Sequence, residues 1–235
     1  MLKDFHIFNA SLETLQKKKL VINTINAHSY TISKSDTSFK QALLKSDVLL
    51  PDGISIVWAL KWLTGQRIKK IAGADLFFYE MKRVEKLKGT CFFLGSSETT
   101  LQKIKERAAI EYPSVQIEVY SPPFKPKFTK EDDKLMLHEI NTFKPDVLFI
   151  GMTAPKQEKW VHTHFNKLDT GHICSIGAVF DFYAGTIKRA PKWMINLGFE
   201  WLYRFVKEPK RLWKRYLIGN VLFIVAIVNQ KIRNN

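Results

Sequence analysis

The chain has 235 residues, 46% of them hydrophobic, and a formal net charge of +15. This size suffices for one sizeable core, or for a core with an appendage, and the charge limits the partners to nucleic acid, a membrane surface or a phosphate-rich substrate. No stretch reaches the roughly 18 to 20 apolar residues that a membrane span needs, and the N-terminal MLKDFHIFNA lacks the apolar segment of a signal peptide.

Short apolar runs alternate with longer helical patterns through the first 190 residues. The runs predict strands at 20–25, 47–50, 90–95, 115–120, 146–151 and 172–177. The patterns between them predict helices near 37–45, 54–63, 74–88, 98–110, 130–143 and 155–167. Several strands lack polar alternation, which indicates a parallel sheet covered by helices on both faces. The sequence therefore predicts a Rossmann-like α/β fold with a mostly parallel sheet, whose ligands bind at the carboxyl ends of the strands.

Polar side chains follow the first two predicted strands. Thr24 and Asn26 stand in TINAH, where they could bind sugar hydroxyls or, as is usual in turns, satisfy nearby backbone groups. Asp52 follows the second strand in LLPDGISIVWA, between Pro51 and Gly53, which favour a turn. A carboxylate in this place can act as a general base, although capping the next helix is the commoner role for Asp there.

Two further turns carry groups that suit a phosphate. In LGSSET, Gly95 and Ser96 precede a helix, but GxxxxGK[ST] and GxGxxG are absent, so support for ATP or a dinucleotide is weak and a serine N-cap is an equal reading. In GMTAPKQEKW, Pro155 suits the first helical turn, whose free N–H groups can receive a phosphate. Lys156 and Gln157 add a cation and an amide, and an ordinary turn with a solvated face is the alternative.

The last predicted strand is followed by Gly177 and then by Asp181, in IGAVFDFYAG. Asp181 could accept a hydrogen bond from a nucleotide base or ribose. It could equally cap a helix or pair with Arg189.

The sequence predicts neither a metal site nor a cofactor. His162 and His164 are close in sequence, but their spacing places them on different faces of a helix, and HExxH is absent. Cys91 and Cys174 lie in apolar runs without metal spacing, which is typical of buried free thiols in a reducing compartment.

From about residue 190 the alternation stops, and residues 191–235 are predicted to form a basic, aromatic, helical appendage on a core of residues 1–190. From Lys188 to Asn235, eleven Lys and Arg stand against two acids, which gives +9 of the net charge. Interleaved Trp and Tyr suit the surface of an anionic membrane. The apolar run from Tyr216 to Val228 has thirteen residues, too few to span a bilayer.

This basic region also holds candidates for binding a diphosphate, because Arg pairs bidentately with phosphate oxygens. Arg211 and Arg215 are four residues apart and share one face of a helix. A solvated basic face is the usual alternative for such a charge run. The candidates are Arg189, Arg204, Arg211, Lys214 and Arg215.

Seven motifs in chain order together resemble one family: TINAH, PDGISIVW, LGSS, YSPPF, DVLFIGMTAPKQEKW, IGAVFDFYAGTIKRAPKW and GFEWLYRFVKEPKR. Over residues 20–216 the chain resembles the WecG/TagA/CpsF family of bacterial glycosyltransferases. The resemblance implies an inverting transferase that moves N-acetylmannosamine, or its uronic acid, from UDP to an acceptor sugar on undecaprenyl diphosphate. It also implies a peripheral place on the cytoplasmic face of the membrane and a part in cell-surface polysaccharide synthesis.

The resemblance implies roles for the candidate residues. Asp52 would be the catalytic base, with Thr24 and Gln157 in the same pocket. The APKQE turn, Asp181 and the YSPPF segment with Pro123 would hold UDP.

In the appendage, Arg204 and Arg211 would close over the site and stabilise the diphosphate, since no metal motif supplies the charge. Lys214 stands where the family leads us to expect arginine. Lysine keeps the charge but loses the planar fork, so Arg215 could share this role.

Two other function classes stay open at this point. The pI of about 9.7 and the aromatic, basic C-terminal region would also suit a nucleic-acid-binding protein, although no known module of that kind is present and we expect no such partner. The same fold could instead carry a UDP-sugar hydrolase or epimerase. The sequence leaves homo-oligomerisation open.

Overall fold

The computed structural model describes residues 1–233, apart from the side chain of Asn196. Its described strands are β1 (Leu20–Ile25), β2 (Val48–Pro51), β3 (Thr90–Gly95), β4 (Gln116–Tyr120), β5 (Val147–Gly151) and β6 (His172–Ser175). They form one sheet in the spatial order β2-β1-β6-β5-β3-β4, and all neighbours are parallel.

Helices cover both faces of the sheet. In chain order the α-helices are α1 (Ala27–Ser33), α2 (Thr37–Leu44), α3 (Ile54–Thr64), α4 (Gly73–Leu87), α5 (Glu98–Glu111), α6 (Lys130–Phe143), α7 (Lys156–His164), α8 (Val179–Ala184), α9 (Lys192–Asn196), α10 (Glu200–Lys207), α11 (Pro209–Trp213) and α12 (Gly219–Ile232). A π-helical turn over Lys214–Ile218 joins α11 to α12.

The fold class predicted from the sequence is confirmed, with a sheet that is parallel throughout. Burial on both faces explains the apolar runs, since every residue of β2 and β6 is buried. Two helices were not predicted, because α1 and α8 have only seven and six residues and are too short to show an apolar period.

A close approach between β3 and β5 accounts for Gly95. This residue is paired in register with Gly151 and has φ of +113°, a conformation that favours glycine. A Cβ atom on Gly95 would lie 2.9 Å from the carbonyl of Gly151. Packing within the sheet therefore explains this glycine.

The C-terminal segment is helical, and its last helix packs onto the core. Phe223 and Ile227 of α12 are buried in a cluster with Tyr30. Gln230 is also buried, and its Oε1 accepts from the Leu2 N–H at 2.6 Å while its Nε2 donates to the Tyr30 hydroxyl oxygen at 2.6 Å. Removing the segment would uncover this cluster, so point substitutions suit it better than truncation. The division of the chain at residue 190 stays a prediction.

Pro209–Ile232 forms one helix of 24 residues that is, by length and composition, able to cross a membrane. This corrects the expectation that no segment is long enough, because the helix begins well before Tyr216 and continues past Val228. The burial of Phe223 and Ile227 against the core is the arrangement of a helix that lies on its own protein.

Candidate active site

A cavity of about 780 Å³ opens at the carboxyl ends of the strands. One side, which we call the core wall, consists of the lining residues from Thr24 to Arg189. They include the turns after β1, β2, β3, β5 and β6 and the first turns of α3, α4 and α7. The other side, the C-terminal wall, consists of the lining residues from Gly198 to Val228. Helix N-termini carry partial positive charge, so this end of the sheet suits anionic groups.

Most residues predicted for the site line this cavity: Thr24, Asn26, Asp52, Ser96, Gln157, Gly177, Asp181, Arg189, Arg204, Arg211 and Arg215. The fold brings these side chains together from both ends of the chain. Their roles in binding and catalysis stay predictions.

The remaining predicted residues are not among those that line the cavity within residues 1–233: Gly95, Pro123, Pro155, Lys156 and Lys214. Pro123 follows β4, which is the edge strand, four positions from β1 in the sheet. At a strand spacing of about 4.8 Å this displaces it by roughly 19 Å from the end of β1.

The side chains of Lys156 and Lys214 contact residues that do not line the cavity. The Lys156 Nζ donates to the Lys125 carbonyl at 2.6 Å and lies 3.5 Å from the centroid of the Phe128 ring. The Lys214 Nζ lies 5.6 Å from the centroid of the Trp213 ring. Of the adjacent pair at the end of the basic run, Arg215 therefore faces the cavity and Lys214 does not.

Asp52 lies on the core wall at the bend between β2 and α3. Its backbone N–H donates to the Ile25 carbonyl at 2.9 Å, which ties the bend to the end of β1. Gly53, with φ of +128°, is the N-cap of α3, and among the described residues no side chain caps this helix. The capping role that is usual for Asp here is thus wrong, and the carboxylate is available to the cavity.

The surroundings of Asp52 suit a group that exchanges a proton near neutral pH. Burial raises the pKa of the Asp52 carboxyl to about 6, and Glu200 pushes this pKa in the same direction. Arg215, Lys70 and the side chain of Asn26 lower the pKa again. A carboxyl with this pKa is mostly ionised at pH 7 and is more basic than an ordinary aspartate.

The charge of Arg215, on the C-terminal wall, acts on this carboxylate. Burial lowers the pKa of Arg215, and the neighbouring Asp52 raises it. Its buried Nε has no hydrogen-bond partner among residues 1–233. Because arginine stays protonated at neutral pH, an unused N–H here is suited to an anionic ligand.

The other two arginines of the C-terminal wall lie nearer to Asp181. Burial raises the pKa of Asp181, whereas the hydroxyl of Thr186 and then Arg211 and Arg204 lower it. The cations are therefore spread along the wall, with Arg215 beside Asp52.

The alternative pairing of Asp181 with Arg189 is wrong. Arg189 donates instead to Glu200, with distances of 3.1 Å to Oε1 and 3.4 Å to Oε2. Asp181 Oδ1 accepts from the Thr186 hydroxyl at 3.4 Å. The Arg189–Glu200 pair spans both walls and so links them.

Gln157 and Glu158 are neighbours at the start of α7 and are only 4% and 2% exposed. The Gln157 Nε2 donates to Glu158 Oε1 at 2.9 Å, while Gln157 Oε1 and Glu158 Oε2 have no partner in the described part of the chain. Burial raises the pKa of Glu158 to about 7, although the Gln157 amide lowers it. The free amide oxygen of Gln157 at the cavity wall suits a sugar hydroxyl.

Asn26 and Ser97 have the local roles that their turns suggest. Asn26 Oδ1 accepts from the Ser29 N–H at 3.0 Å, and the Ser97 hydroxyl accepts from the Thr100 N–H at 3.2 Å. Both side chains thus cap helices. Asn26 lines the cavity as well, so its cap and a role in the site are compatible.

Sequence reasoning missed several lining residues: Trp58, Trp62, Lys70, Glu158 and Glu200. The two tryptophans could have been placed on one side of a helix from the sequence, because residues four apart in a predicted helix share a face. Lys70 stands in a loop without a motif, and the place of Glu200 follows only from how the C-terminal segment packs.

Within residues 1–233, no three side chains of His, Cys, Asp or Glu gather as metal ligands. Cys91 and Cys174 are free and buried, as predicted. Catalysis without a metal stays a prediction.

Comparison with known proteins adds a family match. The sequence model of the glycosyl transferase WecG/TagA/CpsF family matches residues 5–235.

Curated relatives share one described activity. A protein of Bacillus subtilis (strain 168) is 32% identical over 203 residues, which are 86% of this chain and 77% of the relative. One of Bacillus spizizenii is 29% identical, over 89% of this chain and 80% of the relative. One of Staphylococcus aureus (strain MW2) is 24% identical, over 99% and 89%. Each is named as an N-acetylglucosaminyldiphosphoundecaprenol N-acetyl-beta-D-mannosaminyltransferase.

Proposed function

Because the chain belongs to the glycosyl transferase WecG/TagA/CpsF family, we propose that it moves an N-acetylmannosamine-type sugar, or its uronic acid, from UDP to a lipid-linked acceptor. The acceptor is an N-acetylglucosamine on undecaprenyl diphosphate, as in the names of the relatives. The transfer inverts the anomeric centre and serves cell-surface polysaccharide synthesis.

One observation carries the proposal: a carboxyl with a pKa of about 6 and a desolvated arginine share one cavity, from opposite walls. Asp52 supplies a base for a sugar hydroxyl, and Arg215 supplies charge for a phosphate. A sugar transfer from a nucleotide to an alcohol needs both.

The reaction is a single displacement. The acceptor oxygen forms a bond to the anomeric carbon while its proton passes to the Asp52 carboxylate. The bond between that carbon and the phosphate oxygen breaks, and UDP leaves with the electron pair. Attack from the face opposite to UDP inverts the centre. Gln157 and Thr24 hold sugar hydroxyls beside Asp52.

The C-terminal wall binds the diphosphate of the donor and neutralises its charge. Arg204 and Arg211 lie on this wall near Asp181 and bind UDP, while Arg215, near Asp52, binds the acceptor diphosphate. The Arg211 side chain is 57% exposed and pairs with Glu208, so the diphosphate competes with Glu208 and with water for this cation. In this proposal the arginines neutralise the diphosphate without a metal ion.

The exposed surface of the C-terminal helix supports a peripheral place on the inner face of the cytoplasmic membrane. Large apolar side chains face solvent along α12 beside the basic residues, as in helices that lie in a membrane interface. They are Val221, Leu222, Ile224, Val225, Val228 and Ile232.

The test is transfer in vitro. The protein in anionic vesicles receives UDP-N-acetylmannosamine and N-acetylglucosaminyl diphosphate on a polyprenyl chain, with and without EDTA. We expect UDP release only when the acceptor is present, and a β-linked disaccharide lipid by mass spectrometry and NMR, unaffected by EDTA. UDP release without an acceptor, or conversion of the donor into another sugar nucleotide, would replace the transferase by a hydrolase or an epimerase.

A further inference from the structure

The cavity continues beyond its polar groups into an apolar trough between α3 and α12. Trp58 and Trp62 of α3 and Ile224 and Val228 of α12 line it. These side chains are 64%, 49%, 59% and 36% exposed, in that order. Exposed tryptophans and aliphatic side chains around one cavity indicate a binding surface rather than a core.

The cavity-lining residues of the C-terminal helix change from cationic to apolar along the chain. Arg211 and Arg215 come first, Asn220 follows, and Ile224 and Val228 come last. Val228 lies thirteen positions after Arg215, a rise of about 20 Å at 1.5 Å per residue.

The facing helix has the same order. α3 begins directly after the turn that carries Asp52, and its lining residues then become aromatic at Trp58 and Trp62. Both helices thus run from the polar site to an apolar end. A carboxylate, a cation and an apolar trough follow one another along the cavity.

We propose that this trough binds the first isoprene units of the acceptor's polyprenyl chain, an inference that rests on the proposed function. Such an acceptor carries a sugar hydroxyl, a diphosphate and an apolar chain in that order. With the hydroxyl at Asp52 and the acceptor diphosphate at Arg215, the chain begins where the apolar trough begins. The order of polar and apolar groups in the acceptor matches the order of groups along the cavity, and this match identifies the polyprenyl chain as the ligand of the trough.

The trough also leads out to the membrane-facing surface of the same helix. Val221, Leu222 and Val225 lie on α12 beside the trough residues and are exposed. The remainder of the chain can therefore stay in the bilayer while its first units lie between α3 and α12.

Chain-length dependence tests the proposal. In detergent solution, KM is measured for acceptors that carry the same sugar diphosphate on a short alkyl chain or on a long polyprenyl chain. Trp58→Ala and Trp62→Ala should raise KM for the long-chain acceptor roughly tenfold more than for the short one. Trp193→Ala is the matched control, because Trp193 is 61% exposed and is not among the cavity-lining residues. Its ratio of the two KM values should equal that of the wild type.

A second measurement does not depend on catalysis. A polyprenyl diphosphate with a benzophenone in its first isoprene units is photo-crosslinked to the wild-type protein, and the labelled peptides are mapped. Labelling of 54–64 and 219–232, lost on competition with unlabelled polyprenyl diphosphate, supports the trough even if the donor or acceptor sugar differs from the proposed one. Labelling elsewhere, or an equal chain-length ratio in the tryptophan variants and the wild type, overturns it.

Discussion

The two walls of the cavity are held in different ways. On the core wall, Gln157 and Glu158 are almost fully buried, and a backbone hydrogen bond to the end of β1 fixes Asp52. On the C-terminal wall, none of the residues of α10 is buried, and the segment is anchored mainly through α12. One wall belongs to the sheet, and the other is a docked, largely exposed surface.

This difference suggests that the two walls have different roles in the reaction. Proton transfer requires side chains that are fixed to within a fraction of an ångström, which the sheet can provide. Neutralising a diphosphate requires charge and tolerates looser geometry, which the docked helices can provide. We therefore expect substitutions on the core wall to change mainly kcat, and those on the C-terminal wall to change mainly KM and its dependence on salt.

The largest effect is expected at Asp52. Asp52→Asn keeps the shape of the side chain but removes the base, so kcat should fall by about 10²- to 10⁴-fold. The dissociation constant for UDP-sugar, measured by calorimetry, should change by less than about threefold. Turnover within a factor of ten of the wild type would mean that Asp52 is not the base.

A smaller effect is expected from the C-terminal wall. Arg211→Gln removes a charged hydrogen-bond donor, which should raise KM roughly 10- to 100-fold. The control is Lys210→Gln, the adjacent exposed cation that does not line the cavity. Equal changes in KM for both variants, each weakening with added salt, would show that Arg211 acts only through surface charge.

The smallest effect on the rate of transfer is expected from substitution of Glu158. We expect this substitution to change the stability of the protein instead. Its pKa is about 7 in the folded protein against an ordinary value of 4.5. The folded state therefore holds a proton that the unfolded state releases, and the free energy of unfolding decreases as pH rises through this window.

Glu158→Gln should remove this decrease in the free energy of unfolding with rising pH. In urea unfolding the variant should gain on the order of 2 kcal/mol relative to the wild type between about pH 5 and pH 8. Glu139→Gln, at an exposed position, is the matched control. If the gain of Glu158→Gln does not exceed that of the control, Glu158 is not a buried, partly protonated carboxyl.

The sheet and much of the core wall could be predicted from the sequence, because uniformly apolar strands and the residues that follow them are local signals. Asp52 was found through its place after such a strand. Pro123 was placed in the site by the family resemblance, and no local signal reveals that the strand before it, β4, lies at the far edge of the sheet. The burial of Glu158 likewise depends on what packs over α7.

The C-terminal wall was predictable only in part. The spacing of Arg211 and Arg215 indicates a common helix face, and the structure places both on the cavity. Lys214 is displaced from that face and lies by Trp213 instead. The packing of α12 on α1 and α3 depends on contacts between residues about 200 positions apart, such as Gln230 with Tyr30. Sequence patterns carry no direct sign of such contacts.

The pH dependence of kcat/KM tests most directly whether the core wall and the C-terminal wall form one active site. The wild-type rate should rise with pH through about 6 and then level off, as Asp52 loses its proton. Because Arg215 lowers the pKa of Asp52, Arg215→Gln should move this rise to higher pH, whereas Lys214→Gln should leave it in place. An unmoved rise in Arg215→Gln, or no rise near pH 6 in the wild type, would contradict a site shared between Asp52 and the C-terminal wall.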